Sequence, residues 1–195
     1  MLESKRILLI VPGGIAAYKC LELIRRLRDK GCDVRCILTK NGAQFVTPLS
    51  LAALSGQKVY QDLFSLTDES EIGHIRLSRD TDLVLVAPAT ADILARMAAG
   101  MADDLATTVL LATDKPIMVV PAMNPRMWSH PATEANVAKL MDWGVRVTGP
   151  AQGEMAEANE RGLGRMAEPA DILKAVETFF AGSGGKKKTG KGRRR

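Results

Sequence analysis

RILLIVPGG, residues 6–14, decides the fold. Arg6 to Val11 is an unbroken apolar run of strand length, without the alternation that would leave one face in water, and it stops at Pro12-Gly13-Gly14. A helical pattern follows, with Ile15, Leu21, Ile24 and Leu27 recurring on one face until Gly31. Asp33 to Thr39, DVRCILT, then reads as a second strand. Strand, glycine turn, helix and strand within about 35 residues make a βαβ unit, which calls for a parallel sheet with a right-handed crossover.

Working outward, Asp82–Ala87 (DLVLVA) and Ile117–Val120 (IMVV) are short runs of the same kind, and Val145–Thr148 is a weaker fifth candidate. Helical stretches are expected over 48–55, 90–99, 103–112, 131–143 and 169–180. The pattern predicts a three-layer, doubly wound α/β domain with a parallel sheet. Ligands of such sheets sit beyond the carboxyl ends of the strands, where the topology changes direction. The chemistry is therefore expected in 12–17, 39–42, 88–93 and 121–128.

The bulk composition narrows the classes. A chain of 195 residues with 46% hydrophobic content can bury one sizeable core. No apolar run approaches the roughly 20 residues that span a bilayer, so a cytoplasmic protein without membrane attachment is expected. The net charge of +5 is concentrated in 182–195, GSGGKKKTGKGRRR, which holds seven of the 27 Lys and Arg residues and no acid. The remainder carries 20 basic against 22 acidic residues, so residues 1–181 are read as the folded domain and 182–195 as a basic linker or tail. No aromatic is interleaved with the tail's charges for base stacking, and no nucleic-acid partner is expected. Cys20, Cys32 and Cys36 lack ligand spacing, and two histidines do not complete a metal site.

Among the expected site segments, Gly13-Gly14 opens a helix whose free N–H groups suit a phosphate, although a tight packing turn explains two glycines as well. Thr39 and Thr90 place hydroxyls at the same edge, either for one phosphate or as helix N-caps. No acid follows at the distance that grips a ribose, which favours a mononucleotide over a dinucleotide. Pro121–Trp128, PAMNPRMW, is a rigid apolar loop with one amide, Asn124, able to donate to a carboxylate without adding charge. His74 lies in EIGHIRLSR, while His130 reads as a turn residue before a helix.

GGIAAYK (13–19), HIRLSR (74–79), PATADI (88–93), GMADDL (100–105), PAMNPRMW and GLGRM (162–166) occur in this order. Over roughly residues 5–180 the chain resembles the flavin-containing cysteine decarboxylases, above all the phosphopantothenoylcysteine decarboxylase part of bacterial bifunctional decarboxylase/ligase proteins. The resemblance implies a Rossmann/flavodoxin-like flavoprotein fold and FMN as cofactor. It assigns FMN to Gly13, Gly14, Ile15, Ala16, Thr39, Lys40, Asn41, Thr90, Ala91, Asp92, Ile93 and Ala122. It makes His74 and Asn124 catalytic, and puts Met123, Asn124, Ala158 and Arg165 at the substrate, phosphopantothenoylcysteine. It also implies self-association to a trimer or dodecamer with flavin at a subunit contact, and a chain cut where a C-terminal ligase domain would begin. A cysteine carboxylate lacks an electron sink; oxidation at the carbon bearing sulfur creates one, and return of the hydride makes the reaction redox-neutral.

Three positions depart from the family pattern. Asp92 stands where asparagine is common, Pro12 replaces a serine or glycine, and Ala158 in EANERGLGR matches the cysteine of a substrate-covering flap. With that thiol missing, Glu154, Glu157 or Glu160, or water, is left to supply the last proton. The alternatives are an oxidative decarboxylase of a peptidyl cysteine and a non-catalytic FMN-binding regulatory subunit, with a flavin-modifying prenyltransferase further off.

Overall fold

The computed structural model describes residues 2–62, 77–154 and 161–183. Six strands form one parallel sheet: β1 Arg6–Val11, β2 Asp33–Leu38, β3 Val59–Tyr60, β4 Leu83–Ala89, β5 Ile117–Pro121 and β6 Arg146–Val147. Their order is β3-β2-β1-β4-β5-β6, so the winding reverses between β1 and β4.

The unbroken apolar strands serve two cores. Ile7, Leu9 and Val11 of β1 join Val34, Cys36 and Leu38 of β2 on one face, against Leu23, Ile24 and Leu27 of α1 (Lys19–Asp29), Leu51 of α2 (Pro48–Ser55) and Ile172 and Val176 of α7 (Pro169–Ser183). Leu8, Ile10, Val84 and Val86 face the other way. They meet Ile93 and Leu94 of α3 (Ala91–Ala99), Val109 of α4 (Leu105–Ala112) and Leu140 of α6 (Pro131–Asp142). Each fully buried aliphatic side chain contributes about 1.5–3 kcal/mol, so neither layer of helices is dispensable. The register of β4 against β5 shifts between Val86 and Ala89. Ala87 therefore belongs to the first core and Ala89 to the second.

One expectation is corrected. Ile15 does not join the apolar stripe of the first helix; it is 60% exposed. Residues Ile15–Tyr18 form a 3-10 turn with a tighter period than α1, and the buried stripe starts afresh at Cys20, Leu23 and Ile24.

At the amino end of the sheet, Asp82 accepts from the Arg6 backbone at 2.9 Å and from its guanidinium at 3.0 Å, clamping β1 to β4. Cys20, Cys32 and Cys36 are free and buried, and the Cys20 thiol donates to the Ala87 carbonyl at 3.0 Å. Among the described residues no helix is long and apolar enough to cross a membrane. A second, two-stranded antiparallel sheet, β7 (Ala151–Glu154) and β8 (Arg161–Arg165), lies between β6 and α7 in the chain. It was not expected from the sequence.

Candidate active site

Three of the expected segments meet at the reversal point. Gly13 and Gly14 follow β1 directly, and Gly14 is extended (φ −173°) before the 3-10 turn begins. A Cβ on Gly13 would sit 2.5 Å from Cβ of Asn41, and one on Gly14 would sit 3.3 Å from Cγ2 of Thr90. Bare backbone at these two positions lets the turn after β1 touch both the segment after β2 and the segment after β4. Gly42 locks the same corner, since a Cβ there would lie 2.3 Å from the Val11 carbonyl oxygen.

The hydroxyls act locally as helix caps. Thr90 is the N-cap of α3 and accepts from Ile93 N at 3.4 Å, while Thr39 accepts from Gly42 N at 3.0 Å. The Thr39 O–H also donates to the Val11 carbonyl at 3.4 Å, and both hydroxyls stand at the edge. Ala91 and Asp92 open α3; Asp92 is exposed and 3.9 Å from Arg96, a residue that also holds Asp103 and Asp104. Lys40 and Asn41 are exposed. No carboxylate stands at the end of β2, where a dinucleotide fold grips a ribose. A cradle of backbone, two hydroxyls and a helix start therefore fits a mononucleotide phosphate.

Ala122, Met123 and Asn124 follow β5 on the same side. Ala122 N donates to the Ala89 carbonyl at 3.0 Å, which ties this loop to β4. Asn124 is the N-cap of a short helix, α5 (Pro125–Trp128), and its Oδ1 accepts from Met127 N at 2.8 Å. That bond fixes the amide and leaves its NH2 group as the donor, as the carboxylate reading requires. His130 is a cap as well: its Nδ1 accepts from Ala132 N at 3.1 Å at the start of α6, in keeping with its reading as a turn residue.

The β7–β8 hairpin is seated on this loop. Met123 N donates to the Gly164 carbonyl at 3.0 Å. Gly164 has φ +145°, and a Cβ there would be 2.2 Å from Met123 O; one on Gly162 would be 3.0 Å from Pro125. Arg165, at the end of β8, turns to Glu168 at 3.1 Å. Glu154 faces Arg161 across the hairpin in an exposed ion pair. His74, Ala158, Glu157 and Glu160 lie outside the described residues; of the HIRLSR segment, residues 77–79 are helical and Leu77 and Ser78 are buried. Among the described residues no group of three His, Cys, Asp or Glu could hold a metal. An open groove of about 830 Å³ along β6 and α7, lined by Arg146, Thr148 and Lys174, lies beyond β5 from the reversal point and is not part of this site.

Sequence reading passed over Lys19, Glu168 and Gly164. The signal for Gly164 was the Gly-Leu-Gly of β8, since glycines within a strand mark close backbone approach.

Fold and edge together define a doubly wound α/β protein whose topological switch point is the place where sheets of this kind bind ligands. The flavoprotein family profile matches residues 1–181, and the chain belongs to that family. It is 49% identical over 179 residues to the coenzyme A biosynthesis bifunctional protein CoaBC of Vibrio vulnificus (strain YJ016), covering 92% of this chain and 44% of the relative. The chain thus spans less than half the length of that relative. Among solved structures, a PPC decarboxylase mutant complexed with pantothenoylaminoethenethiol is 33% identical with a TM-score of 0.80, covering 92% of this chain and 100% of the other. The FMN binding protein AtHal3 is 32% identical with a TM-score of 0.79, covering 92% and 98%.

Proposed function

We propose that this chain decarboxylates 4'-phosphopantothenoylcysteine to 4'-phosphopantetheine with FMN, the carboxy-lyase step of coenzyme A biosynthesis. The observation that carries the reading is Asn124: an amide fixed by its bond to Met127 N, its NH2 without a bond among the described residues, on a loop tied to β4 and to the hairpin. The likeness to CoaBC and to PPC decarboxylase supports the substrate class.

In this reading Gly13–Ala16 bind the FMN phosphate through backbone N–H groups, with Thr39–Asn41, Thr90–Ile93 and Ala122 completing the cofactor site. FMN supplies a hydride acceptor that is regenerated within one turnover. Asn124 holds the substrate carboxylate, and Met123 keeps water from it. Carbon dioxide leaves more readily from a carboxylate held in an apolar loop than from one in water. His74 moves the proton, and Arg165 meets the substrate from the hairpin side. Ile15, Tyr18, Phe45 and Leu49, on the cradle turn and the segment after β2, are exposed apolar residues, which favours a subunit contact over the flavin and hence a trimer-based assembly.

The test is product mass after incubation with FMN and 4'-phosphopantothenoylcysteine. Loss of carbon dioxide alone is expected; an unchanged substrate rules the reading out. A second reading, an oxidative decarboxylase that stops at the enethiol, is favoured by Ala158 at the flap-cysteine position. It predicts loss of two further hydrogens.

A further inference from the structure

Among the described residues Lys19 is the only charged side chain in the interior, at 6% exposure. It stands one residue after the cradle's 3-10 turn. Its ammonium donates to the Met166 carbonyl at 3.1 Å and to Glu168 Oε1 at 2.8 Å. The same Oε1 lies 3.1 Å from the Arg165 guanidinium. Arg165 in turn runs along Gly153 of β7, where a Cβ would come within 2.9 Å of its Cδ. The residue before it, Gly164, accepts from Met123 N. An uninterrupted series of contacts therefore leads from the cradle turn through Lys19, Glu168 and Arg165 to the loop that carries Asn124.

A buried charge of this kind is weak evidence for a stabilising role. Desolvating an ammonium costs several kcal/mol, and a well-packed apolar residue in place of a buried charge is often neutral or stabilising. Glu168 is held below the usual carboxylate range, first by its hydrogen bond from Lys19 and further by Arg165, so it stays ionised and bridges both cations at neutral pH.

We propose that Lys19, Glu168 and Arg165 form a positioning relay that couples occupancy of the Gly13–Ala16 cradle to seating of the β7–β8 hairpin on the Met123–Asn124 loop. The proposal rests on the FMN and substrate reading above. Coupling of this kind is reciprocal: whatever factor the seated hairpin adds to flavin affinity, bound flavin adds to hairpin seating.

The experiment compares the full chain with Lys19→Met and Glu168→Gln. The second variant keeps Lys19 and its bond to the Met166 carbonyl but removes the bridging charge, so its melting temperature is expected to fall and both readouts are taken below that transition. FMN affinity is measured by flavin fluorescence, and hairpin seating by the rate of trypsin cleavage after Arg161 and Arg165 with and without FMN. In the unaltered chain FMN is expected to slow that cleavage about tenfold, a coupling of common size. In both variants the protection disappears and FMN binds weaker by the same factor. KM for phosphopantothenoylcysteine rises about tenfold with kcat held, the sign of lost uniform binding, and in Lys19→Met, which removes the buried charge itself, the melting temperature stays within about 2 °C. Equal protection in all three proteins overturns the relay alone. Failure of the unaltered chain to bind FMN overturns the functional reading and the relay with it.

Discussion

The turn after β1 is held from inside the molecule: Gly13 abuts Asn41, Gly42 abuts the Val11 carbonyl, and Val11 and Leu38 at the ends of the flanking strands are fully buried. Among the described residues the β7–β8 hairpin adds no side chain to either core, and it reaches the same site through Gly162 and Gly164 against Pro125 and Met123, with Arg165 on Glu168. Both regions depend on glycine, but on different neighbours. At the cradle an added methyl group strikes the backbone of the sheet, so damage reaches the fold. At the hairpin it strikes one loop. In the proposed function, cofactor holding is thus built into the folded core, whereas substrate enclosure is appended to it and is expected to be separable by mutation.

The largest expected effect sits on neither side. His74→Asn is expected to keep FMN and lower turnover by about 10²–10⁴-fold, the range of a lost acid–base group. His130→Asn should stay near full activity, because asparagine also caps helices. Steady-state rates on flavin-loaded protein decide between them, and equal activity of the two variants would remove His74 from the chemistry.

Next comes the hairpin. Gly164→Ala forces a Cβ to 2.2 Å from Met123 O at φ +145°. Turnover should fall about a hundredfold, as small misplacements of positioning loops do, with flavin still bound at saturating FMN and the thermal transition unmoved. A large drop in melting temperature would show that the hairpin is part of the fold after all. The cradle gives the converse. Gly42→Ala meets Val11 O at 2.3 Å and Leu38 at 2.8 Å, an overpacking that costs about 1–3 kcal/mol. Calorimetry of flavin-free protein should register it as a lower melting temperature, by roughly 2–4 °C per kcal/mol.

The division between the regions also explains what could be read in advance. The sheet was legible because Ile7–Val11, Leu83–Ala87 and Ile117–Val120 are apolar throughout, and a strand covered on both faces needs no other signal. The cradle segments were legible because they follow those strands. Ile15 misled because a period counted from a single α-helix ignores the 3-10 turn at its start. The hairpin was not legible: AQGE and RGLGR are polar or glycine-rich, and what makes them strands is their pairing with each other, seated by a bond from Met123, distant in sequence. Lys19 could be seen within GGIAAYK, but its partner Glu168 lies 149 residues away, and nothing local announces the pair.

The smallest effect is expected farthest from the site. Burial acts to raise the pKa of Asp82, but the hydrogen bonds from the Arg6 side chain and backbone outweigh it and hold the carboxyl below its ordinary value. A depressed folded pKa means stability that is present above the unfolded value, about 3.9, and lost as pH falls through the folded one. Asp82→Asn should therefore flatten the acid limb of a melting-temperature profile while leaving flavin binding and turnover alone. A change in turnover would show that the amino end of the sheet communicates with its carboxyl end.

The substrate proposed above is itself a thiol, and in that setting the buried cysteines have a meaning. Burial pushes the Cys32 thiol up to about 11 and Cys36 to about 12, and raises Cys20 further still. Thiolate is the species that attacks disulfides, so these three sulfurs take almost no part in exchange at neutral pH. Oxidised substrate drifting past the protein finds nothing to conjugate with. The same concealment provides a clock: a thiol-selective alkylating reagent at neutral pH will mark Cys20 and Cys36 only as fast as β2 and α1 come apart, so the extent of labelling over time records opening of the very layer on which the cradle is built.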